Sequence, residues 1–486
     1  MRAYRRLGEA LAATLLLLAP AMWNRFPFLQ YDSGGYLARW FEGYLVPSRS
    51  TVYALFAVAG WPLDFWPEVF LQAAAAVWII WLVLRVHGLG DRPLALLGTV
   101  AALAATTSLP WIADILLTDI FAGTAVLALH LLLFAPAALS RRETAGLVLL
   151  IGFAAATHSA TFAVLMAIVA VAGLARLYRR DLLPLAALGR GAGAVALGVA
   201  MLLGTNFALS GQFAWTPGGY AIVFARMMQD GIVVRYLDAH CPDARLRLCP
   251  YRHRLPPTAD EFLWSDGPFN ELGRFAGLGD EMRTIVLESL VEYPGAQIET
   301  AISASARQLV KVESGEGVLN SIWHTYGIIE RYMPTVVPAM RAARQQHGEV
   351  SFRALNEVHV PVALISMLLL PLVLLIGRGD FGDLRLLAAT VAVALLANAV
   401  VCGALSNPHN RYGARLVWVA TFAVALVPMR YAVTRPWKTA AAQAYMLCCS
   451  ESRAPELCFA GAGDDNGGGR WIISTVGWSA AFACMC

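Results

Sequence analysis

The sequence has little charge for its length. Asp, Glu, Lys and Arg make up 14% of its 486 residues, whereas a soluble domain has about 25%. Lysine occurs only at Lys311 and Lys438, so the net charge of +4 comes from arginine. Hydrophobic residues make up 58% of the chain, and its mean hydropathy is +0.58. This composition excludes an ordinary soluble protein and predicts an all-α polytopic membrane protein.

The sequence also lacks the ligand spacing of a zinc site. Five of its eight cysteines crowd the C-terminal residues 437–486, without histidines at the spacing of zinc ligands. That tail has no helical or strand period, and we interpret it as disordered or as an aberrant reading frame. Cys241 and Cys249 flank a short polar stretch, and they can form a disulfide if their loop faces an oxidising compartment. Two free thiols are the alternative, because the Cys249-Pro250 sequence can keep the two cysteines too far apart to bond.

Long apolar runs dominate what is present. A helix needs about 20 apolar residues to cross a membrane, and the hydropathy pattern predicts about ten such helices. The first run has the basic start of a signal peptide, but no clean small-residue cleavage site follows it, so we expect a retained anchor. The predicted spans are 8–23, 66–86, 93–110, 118–139, 145–158, 160–177, 184–209, 359–377, 384–405 and 412–430.

Basic residues at the ends of these spans give the predicted orientation. If every span crosses, they all fall on one side, which the positive-inside rule makes cytoplasmic. Both termini are then cytoplasmic, in a bacterial-type inner (plasma) membrane. Residues 210–358 form a mostly helical extracytoplasmic domain between an N-terminal membrane module (1–209, with a first extracytoplasmic loop at 24–65) and C-terminal membrane helices (359–436). The basic residues are Arg2, Arg5, Arg6, Arg85, Arg92, Arg141, Arg142, Arg179, Arg180, Arg190, Arg378, Arg385, Arg430, Arg435 and Lys438.

Ionisable and aromatic residues recur at the extracytoplasmic ends of the predicted spans. An ionisable group at a membrane is a functional candidate by default, because lipid does not hydrate it. The first is Asp32, in the sequence Tyr-Asp-Ser-Gly-Gly-Tyr directly after the first span. The others come from the same loop and from three later segments, which predicts one shared interfacial cavity. They are Arg49, Tyr53, Asp119, His158, His409, Arg411, Tyr412 and Arg415.

The order of these residues resembles the GT-C superfamily of membrane glycosyltransferases, in particular its aminoarabinose and protein mannosyl transferases. An acidic residue in the first extracytoplasmic loop is matched here by Asp32. An Arg-x-x-x-Tyr element before a span with a Leu-Gln pair is matched by Arg49, Tyr53 and Leu71-Gln72.

The resemblance continues at the later span ends. An element of Leu, Ser or Thr, an acidic residue, any residue and a hydrophobic residue at the start of the fourth span is matched by residues 117–121, which read Leu-Thr-Asp-Ile-Phe. An Arg-Tyr pair entering a late span is matched by Arg411-Tyr412. The family often has Arg-Pro where this chain has His158-Ser159, and residues 210–358 have no counterpart. The match covers about residues 10–175 and 400–430.

The resemblance implies transfer of a sugar from a polyprenyl-phosphate-linked donor to an envelope acceptor, which is a glycolipid, a polysaccharide or a protein. Asp32 would take the proton of the acceptor, and the fork of Arg411 would hold the leaving phosphate. Asp119 would share the catalytic role, orient the acceptor or pair with an arginine. The remaining residues would bind substrate, namely Arg49, Tyr53, His158, His409, Tyr412 and Arg415.

A cofactor is not predicted. Oligosaccharyl members of the superfamily use a divalent ion held by several acidic groups. The first loop of this chain offers Asp32, Glu42 and Asp64 but no Asp-x-Asp pair, so we favour a metal-independent site and leave a divalent ion open. The expected partners are the lipid-linked donor, the acceptor and membrane lipids, and no nucleic acid.

Structural roles are the alternative for each candidate. Asp32 and Asp119 can cap helix N-termini, the late arginines can be snorkelling anchors, and Arg49 can pair with Asp64 or Glu68. At the level of function, a transporter or flippase of lipid-linked intermediates is one alternative, which the apolar span interiors and the lack of an internal repeat disfavour. A non-catalytic envelope assembly subunit is the other.

Overall fold

The computed structural model of the protein describes residues 2–43, 45, 47–376 and 382–434. The segment 437–486, which the sequence predicts to be disordered or aberrant, lies outside the described residues. Internal contacts group residues 1–427 into one compact unit, which contains every contact discussed below.

The all-α prediction is confirmed. The described residues form α-helices and short 3-10 turns without a strand, and an isolated bridge joins Phe28 to Ile115. The N-terminal part contains α1 (Arg2–Leu17), α2 (Ala19–Asn24), α3 (Ser33–Glu42), α4 (Thr51–Ala59), α5 (Trp66–Val86), α6 (Ala95–Thr106), α7 (Leu109–Asp114), α8 (Ile120–Phe134), α9 (Arg141–Thr157), α10 (Ser159–Tyr178) and α11 (Leu185–Ser210).

Shorter helices fill the middle of the chain, and three long helices follow them. The middle contains α12 (Gly219–Gln229), α13 (Ile232–His240), α14 (Ala259–Trp264), α15 (Pro268–Glu271), α16 (Arg274–Glu292), α17 (Pro294–Val310), α18 (Trp323–Tyr332) and α19 (Val337–Arg341). The long helices are α20 (Arg353–Ile376), α21 (Gly382–Ala404) and α22 (Asn410–Thr434).

Six helices in the described part of the chain are long and apolar enough to cross a membrane, as expected of a multi-pass protein. Each overlaps one of the predicted spans. They are Trp66–Val86, Ser159–Tyr178, Leu185–Ser210, Arg353–Leu375, Gly382–Ala404 and Asn410–Ala432.

The other four predicted spans correspond to shorter helices, so the total of ten stays a prediction. The first apolar run is divided between α1 and α2, close to Pro20. Pro136 follows the end of α8 and keeps the preceding residue out of helical geometry. Helix α9 begins at Arg141 because Ser140 forms a capping box with Glu143. The run 93–110 becomes α6 and α7.

Two ion pairs join connections that the arginine pattern assigns to one side. Arg85 donates to both carboxylate oxygens of Glu143, at 2.6 and 3.0 Å, which links the end of α5 to the start of α9. Arg6 pairs with Asp91, which links α1 to the connection before α6. These connections therefore lie at the same end of the helices, and which compartment this end faces stays a prediction.

The middle of the chain has a hydrophobic core of its own. Helices α12 to α16 pack around buried residues that include Phe224, Phe262 and Met282. Cys241 and Cys249 are joined by a disulfide that packs against this core. This part of the chain therefore has an interior separate from the packing of the long helices.

Two close helix contacts join the middle of the chain to α21 and to α3. A Cβ at Gly403 of α21 would lie 2.7 Å from the Ala304 carbonyl oxygen of α17, so glycine permits this approach. A Cβ at Gly34 of α3 would lie 2.6 Å from Cα of Thr325 in α18. Through these contacts, residues after α17 reach the start of α22, and α18 covers the loop that contains Asp32.

Candidate functional site

Asp32 lies at the start of α3, where two glycines make room for its surroundings. The Thr325 hydroxyl accepts a hydrogen bond from Gly34 N at 3.1 Å and donates to backbone carbonyls of the preceding turn. A Cβ at Gly35 would lie 3.0 Å from Nε of Arg49. The Asp-Ser-Gly-Gly sequence thus allows a helix start with a guanidinium group on one side and α18 on the other.

The carboxylate of Asp32 pairs with two arginines. Oδ1 accepts from Arg49, and Oδ2 accepts from Nη1 of Arg411 at 2.6 Å. Although Asp32 occupies the N-cap position of α3, its side chain makes no capping hydrogen bond. The helix-cap interpretation therefore does not describe this residue in the structure.

Asp119 occupies the N-cap position of α8, and its side chain likewise makes no capping hydrogen bond. Its Oδ2 accepts from Nε of Arg411 at 2.7 Å. Its Oδ1 is buried, lies 3.8 Å from Nη1 of Arg415, and receives no hydrogen bond from the described part of the chain. A buried carboxylate oxygen without a donor is costly, so this atom is well suited to accept from a ligand hydroxyl or amine.

Arg411 and Arg415 lie one helical turn apart at the start of α22. Their side chains are 7% and 1% exposed, so the interpretation of both as snorkelling anchors is wrong. Arg411 spans Asp32 and Asp119 with the two edges of its guanidinium group. The ring of Tyr412 lies beside both guanidinium groups, at 5.7 Å from that of Arg411 and 5.3 Å from that of Arg415.

His158 joins the cluster through Arg415. Nη1 of Arg415 donates to Nδ1 of His158 at 3.3 Å, and Nη2 donates to the side chain of Asn398 in α21 at 2.8 Å. Nδ1 of His158 also accepts from Ala160 N, which makes this histidine the N-cap of α10. His158 therefore has a structural role as the cap of α10, while its ring also contacts the arginine cluster.

Arg49 pairs with Asp32, so the alternative partners Asp64 and Glu68 are wrong. It stands directly before α4, whose first turn is capped by Ser50. The buried Arg39 donates to the Arg49 carbonyl at 2.5 Å and fixes the backbone there. The side chain of Arg49 is therefore aimed at Asp32 by helices α3 and α4 together.

Tyr53 lies behind the cluster. Its side chain is fully buried, and its hydroxyl donates to Oε1 of Gln72 at 3.1 Å. Gln72 in turn donates to the carbonyls of Ala113 and Ile115, each at 2.9 Å. The Arg-x-x-x-Tyr and Leu-Gln elements thus meet. The ring of Tyr53 packs edge-on against that of Tyr36 at 5.0 Å, and the guanidinium group of Arg49 lies 5.7 Å from the Tyr36 ring.

His409 connects the cluster to the middle of the chain. Its Nδ1 lies 2.6 Å from Oε1 of Glu316, and its Nε2 lies 3.4 Å from Oδ2 of Asp260. The other oxygen of Glu316 accepts from Arg411 N at 2.7 Å. Burial lowers the pKa of His409, but the two carboxylates outweigh it and raise the pKa to about 9. The imidazole is therefore protonated at neutral pH.

The sequence pattern misses Glu316, Thr325 and Asn398. None of them belongs to a motif of the resemblance, and the partners of Glu316 and Thr325 are distant in the chain. Glu316 carries one usable signal in the sequence, because it stands between Gly315 and Gly317. In the structure these two glycines have φ of +91° and +81°. Such a turn brings backbone close to another segment, and Gly317 indeed packs against Gln30 and Tyr31.

The cluster carries more positive than negative charge at its centre. Three guanidinium groups, from Arg49, Arg411 and Arg415, face the two carboxylates of Asp32 and Asp119. Burial would raise the pKa of Asp32, but Arg49 and Arg411 outweigh burial and hold that pKa below its ordinary value. The carboxylate is ionised at neutral pH, and the cluster retains a positive charge that an anion can neutralise.

A resident metal has no ready place among these groups. In the part of the chain that the structure describes, no group of three or more His, Cys, Asp and Glu side chains is arranged to hold a metal ion. The metal-independent site stays a prediction. Comparison with family models, with curated proteins and with solved structures found no match to this chain.

Proposed function

We propose that the protein is a glycosyltransferase that moves a sugar from a polyprenyl-phosphate-linked donor to an envelope acceptor at the extracytoplasmic membrane face. One observation carries the proposal. A largely buried cluster of three arginines and two carboxylates forms where α3, α8 and α22 begin, with one more positive than negative charge. These helix starts would face a lipid phosphate if α8 and α22 cross the membrane as predicted.

The arginines suit the phosphate of the donor. A guanidinium group donates in a planar fork that matches phosphate oxygens and stays protonated in proteins. Arg411 would exchange a carboxylate partner for the phosphate, while Arg49 and Arg415 stabilise the charge that develops as the phosphate leaves. This exchange would also release Asp32 from Arg411.

The released carboxylate would act as the base. The acceptor oxygen or nitrogen attacks the anomeric carbon of the sugar, and the bond from that carbon to the phosphate oxygen breaks with its electron pair on the phosphate. The acceptor proton goes to Asp32. A carboxylate held between two cations is a weak base, so loss of Arg411 to the phosphate raises its proton affinity when the donor is in place. Asp119 would orient the acceptor through Oδ1, which accepts no hydrogen bond from the described residues.

The test uses purified protein in lipid with a labelled polyprenyl-phosphate sugar and an envelope fraction as acceptor. In the Asp32→Asn variant, we expect turnover to fall by about 10²–10⁴-fold, the value of general-base catalysis, while donor binding survives. Asp64→Asn is the matched control, because Asp64 lies in the same loop outside the cluster, at φ of +53°, which asparagine tolerates.

Full turnover by Asp32→Asn would remove the base assignment. If the wild-type protein neither binds nor uses such donors, the transferase proposal gives way to the assembly subunit. Mass spectrometry of envelope glycolipids and glycoproteins from a strain without the protein identifies the acceptor. A missing sugar is the expected result.

A further inference from the structure

A polar cavity of about 310 Å³ lies beside the arginine cluster, and its wall contains none of the three arginines proposed to bind the donor phosphate. Its wall contains Arg307 of α17 and Lys311 directly after that helix. Helix α14 contributes Asp260, and the connection before α22 contributes Asn407 and His409. Lys311 is the only lysine in the described part of the chain. The cavity therefore concentrates side chains that recognise a charged, hydrogen-bonding ligand.

Positive charge prevails in this cavity. Arg307, Lys311 and the protonated His409 line the cavity together with the carboxylate of Asp260, and Glu316 pairs with the other nitrogen of His409. An ammonium group binds a phosphate or carboxylate as a point charge, and a guanidinium group binds it as a fork. Neutral hydrogen-bonding groups from Thr258, Gln229 and Asn407, together with Pro408, complete the wall. This mixture fits an anionic carbohydrate better than a neutral sugar or a hydrocarbon chain.

His409 belongs to both the cavity and the cluster. It lines the cavity and lies 2.6 Å from Glu316, whose second oxygen accepts from Arg411 N at 2.7 Å. Arg411 contacts Asp32 directly. A ligand in the cavity would thus be connected to Arg411 and Asp32 through His409 and Glu316.

We propose that this cavity binds the anionic carbohydrate part of the acceptor, a phosphate- or carboxylate-bearing sugar, and this rests on the proposed function. The donor phosphate has its own arginines in the cluster, and the polar wall does not suit a polyprenyl chain. Arg307 and Lys311 bind the charged group of the acceptor. His409 connects the cavity to the proposed base Asp32 through Glu316 and Arg411.

Binding is measured first, because it does not depend on turnover. Equilibrium dialysis of the full-length protein in lipid uses labelled glucose 1-phosphate and labelled glucose as probes. We expect the phosphorylated sugar to bind at least tenfold more tightly than glucose. Lys311→Gln and Arg307→Gln should each weaken its binding by about tenfold, as the loss of a charge-assisted contact does. Arg353→Gln, which removes an exposed arginine at the start of α20, is the control and should change nothing.

The Arg411→Gln variant distinguishes a phosphate bound in the cavity from one bound at the arginines of the donor site. Binding that survives Arg411→Gln but not Lys311→Gln supports the cavity. The reverse pattern assigns the anion to the donor site and overturns the proposal, as does equal binding of glucose and glucose 1-phosphate. In the transfer assay, Lys311→Gln should raise KM for the acceptor and leave KM for the donor unchanged. If cavity-dependent binding is found without any transfer, the anionic-sugar site stands and the glycosyltransferase proposal fails.

Discussion

At the scale of single residues, position in the sequence does not reveal which group a side chain meets. Asp32 and Asp119 both stand where a helix begins, and an N-cap role is the ordinary expectation. Neither carboxylate bonds to its own helix, since Arg411 takes one oxygen of each. The positive end of a helix still favours the ionised form, so the position supports the charge although the cap is absent.

Arg411→Lys is expected to weaken donor binding although it preserves the charge. Lysine offers a single ammonium group, so it cannot bond to Asp32, Asp119 and a phosphate from one planar fork. A hydrogen bond to a charged group contributes about 1.5–3 kcal/mol, which predicts a loss of one to two decades in affinity for a labelled polyprenyl-phosphate sugar. Arg353→Lys, at an exposed arginine, serves as the control. Unchanged affinity in Arg411→Lys would show that the fork is not the phosphate ligand.

The contribution of His409 to stability should depend on pH. Its folded pKa of about 9 is raised by Asp260 and Glu316 against burial, and its unfolded pKa is about 6.5. The stabilisation is therefore complete below about pH 6.5 and is lost as the pH rises through about 9. Thermal unfolding of the wild type and of His409→Gln should differ most at the low end of this range. A difference that does not change between pH 6 and 10 would contradict the assignment.

At the scale of elements, the site depends on how closely α3 and α18 approach each other. Gly34→Ala places a Cβ 2.6 Å from Cα of Thr325, which is backbone and cannot swing away. We expect a loss of about 1–3 kcal/mol in the free energy of unfolding, as overpacking costs, together with lower transfer activity because Asp32 shifts. Chemical denaturation measures the first effect, and the transfer assay measures the second.

Gly327→Ala on α18 is the matched control for this prediction. A Cβ there meets nothing within 4 Å, and alanine has a better helix propensity than glycine by about 1 kcal/mol. This variant should be neutral or slightly more stable. Equal behaviour of the two variants would mean that the contact between α3 and α18 does not hold the site.

At the scale of the whole molecule, the orientation in the membrane decides whether the site faces the proposed donor. We expect a membrane-impermeant thiol reagent, applied from outside, to label Glu261→Cys and to spare Arg141→Cys. The background for both carries serine at the five cysteines of the tail. Glu261 belongs to the middle of the chain near the cavity, and Arg141 begins α9 at the opposite, arginine-rich end. The reverse labelling pattern would place the cluster in the cytoplasm and remove the proposed function.

The sequence by itself determined the helical membrane class and most of the candidate residues. Long apolar runs can satisfy their backbone in lipid only as helices or closed barrels, and the helical lengths of α5, α10, α11 and α20 to α22 agree with that. The sequence marks five charged candidates, because an ionisable group near a membrane is costly unless it is hydrated, paired or functional. They are Asp32, Arg49, Asp119, Arg411 and Arg415.

Only the tertiary structure decided which of these groups pair and what completes the site. Arg411 lies 379 residues after Asp32, and no local pattern reports such a contact. Glu316, Asp260 and Lys311 come from the middle of the chain, where the sequence offered no motif. Glu316 and Asp260 reach the cluster through His409, and Lys311 lines the cavity beside it. Helix α17 packs closely against α21 at Gly403. Packing between distant helices is set by the shape of both surfaces together, so neither segment alone encodes it.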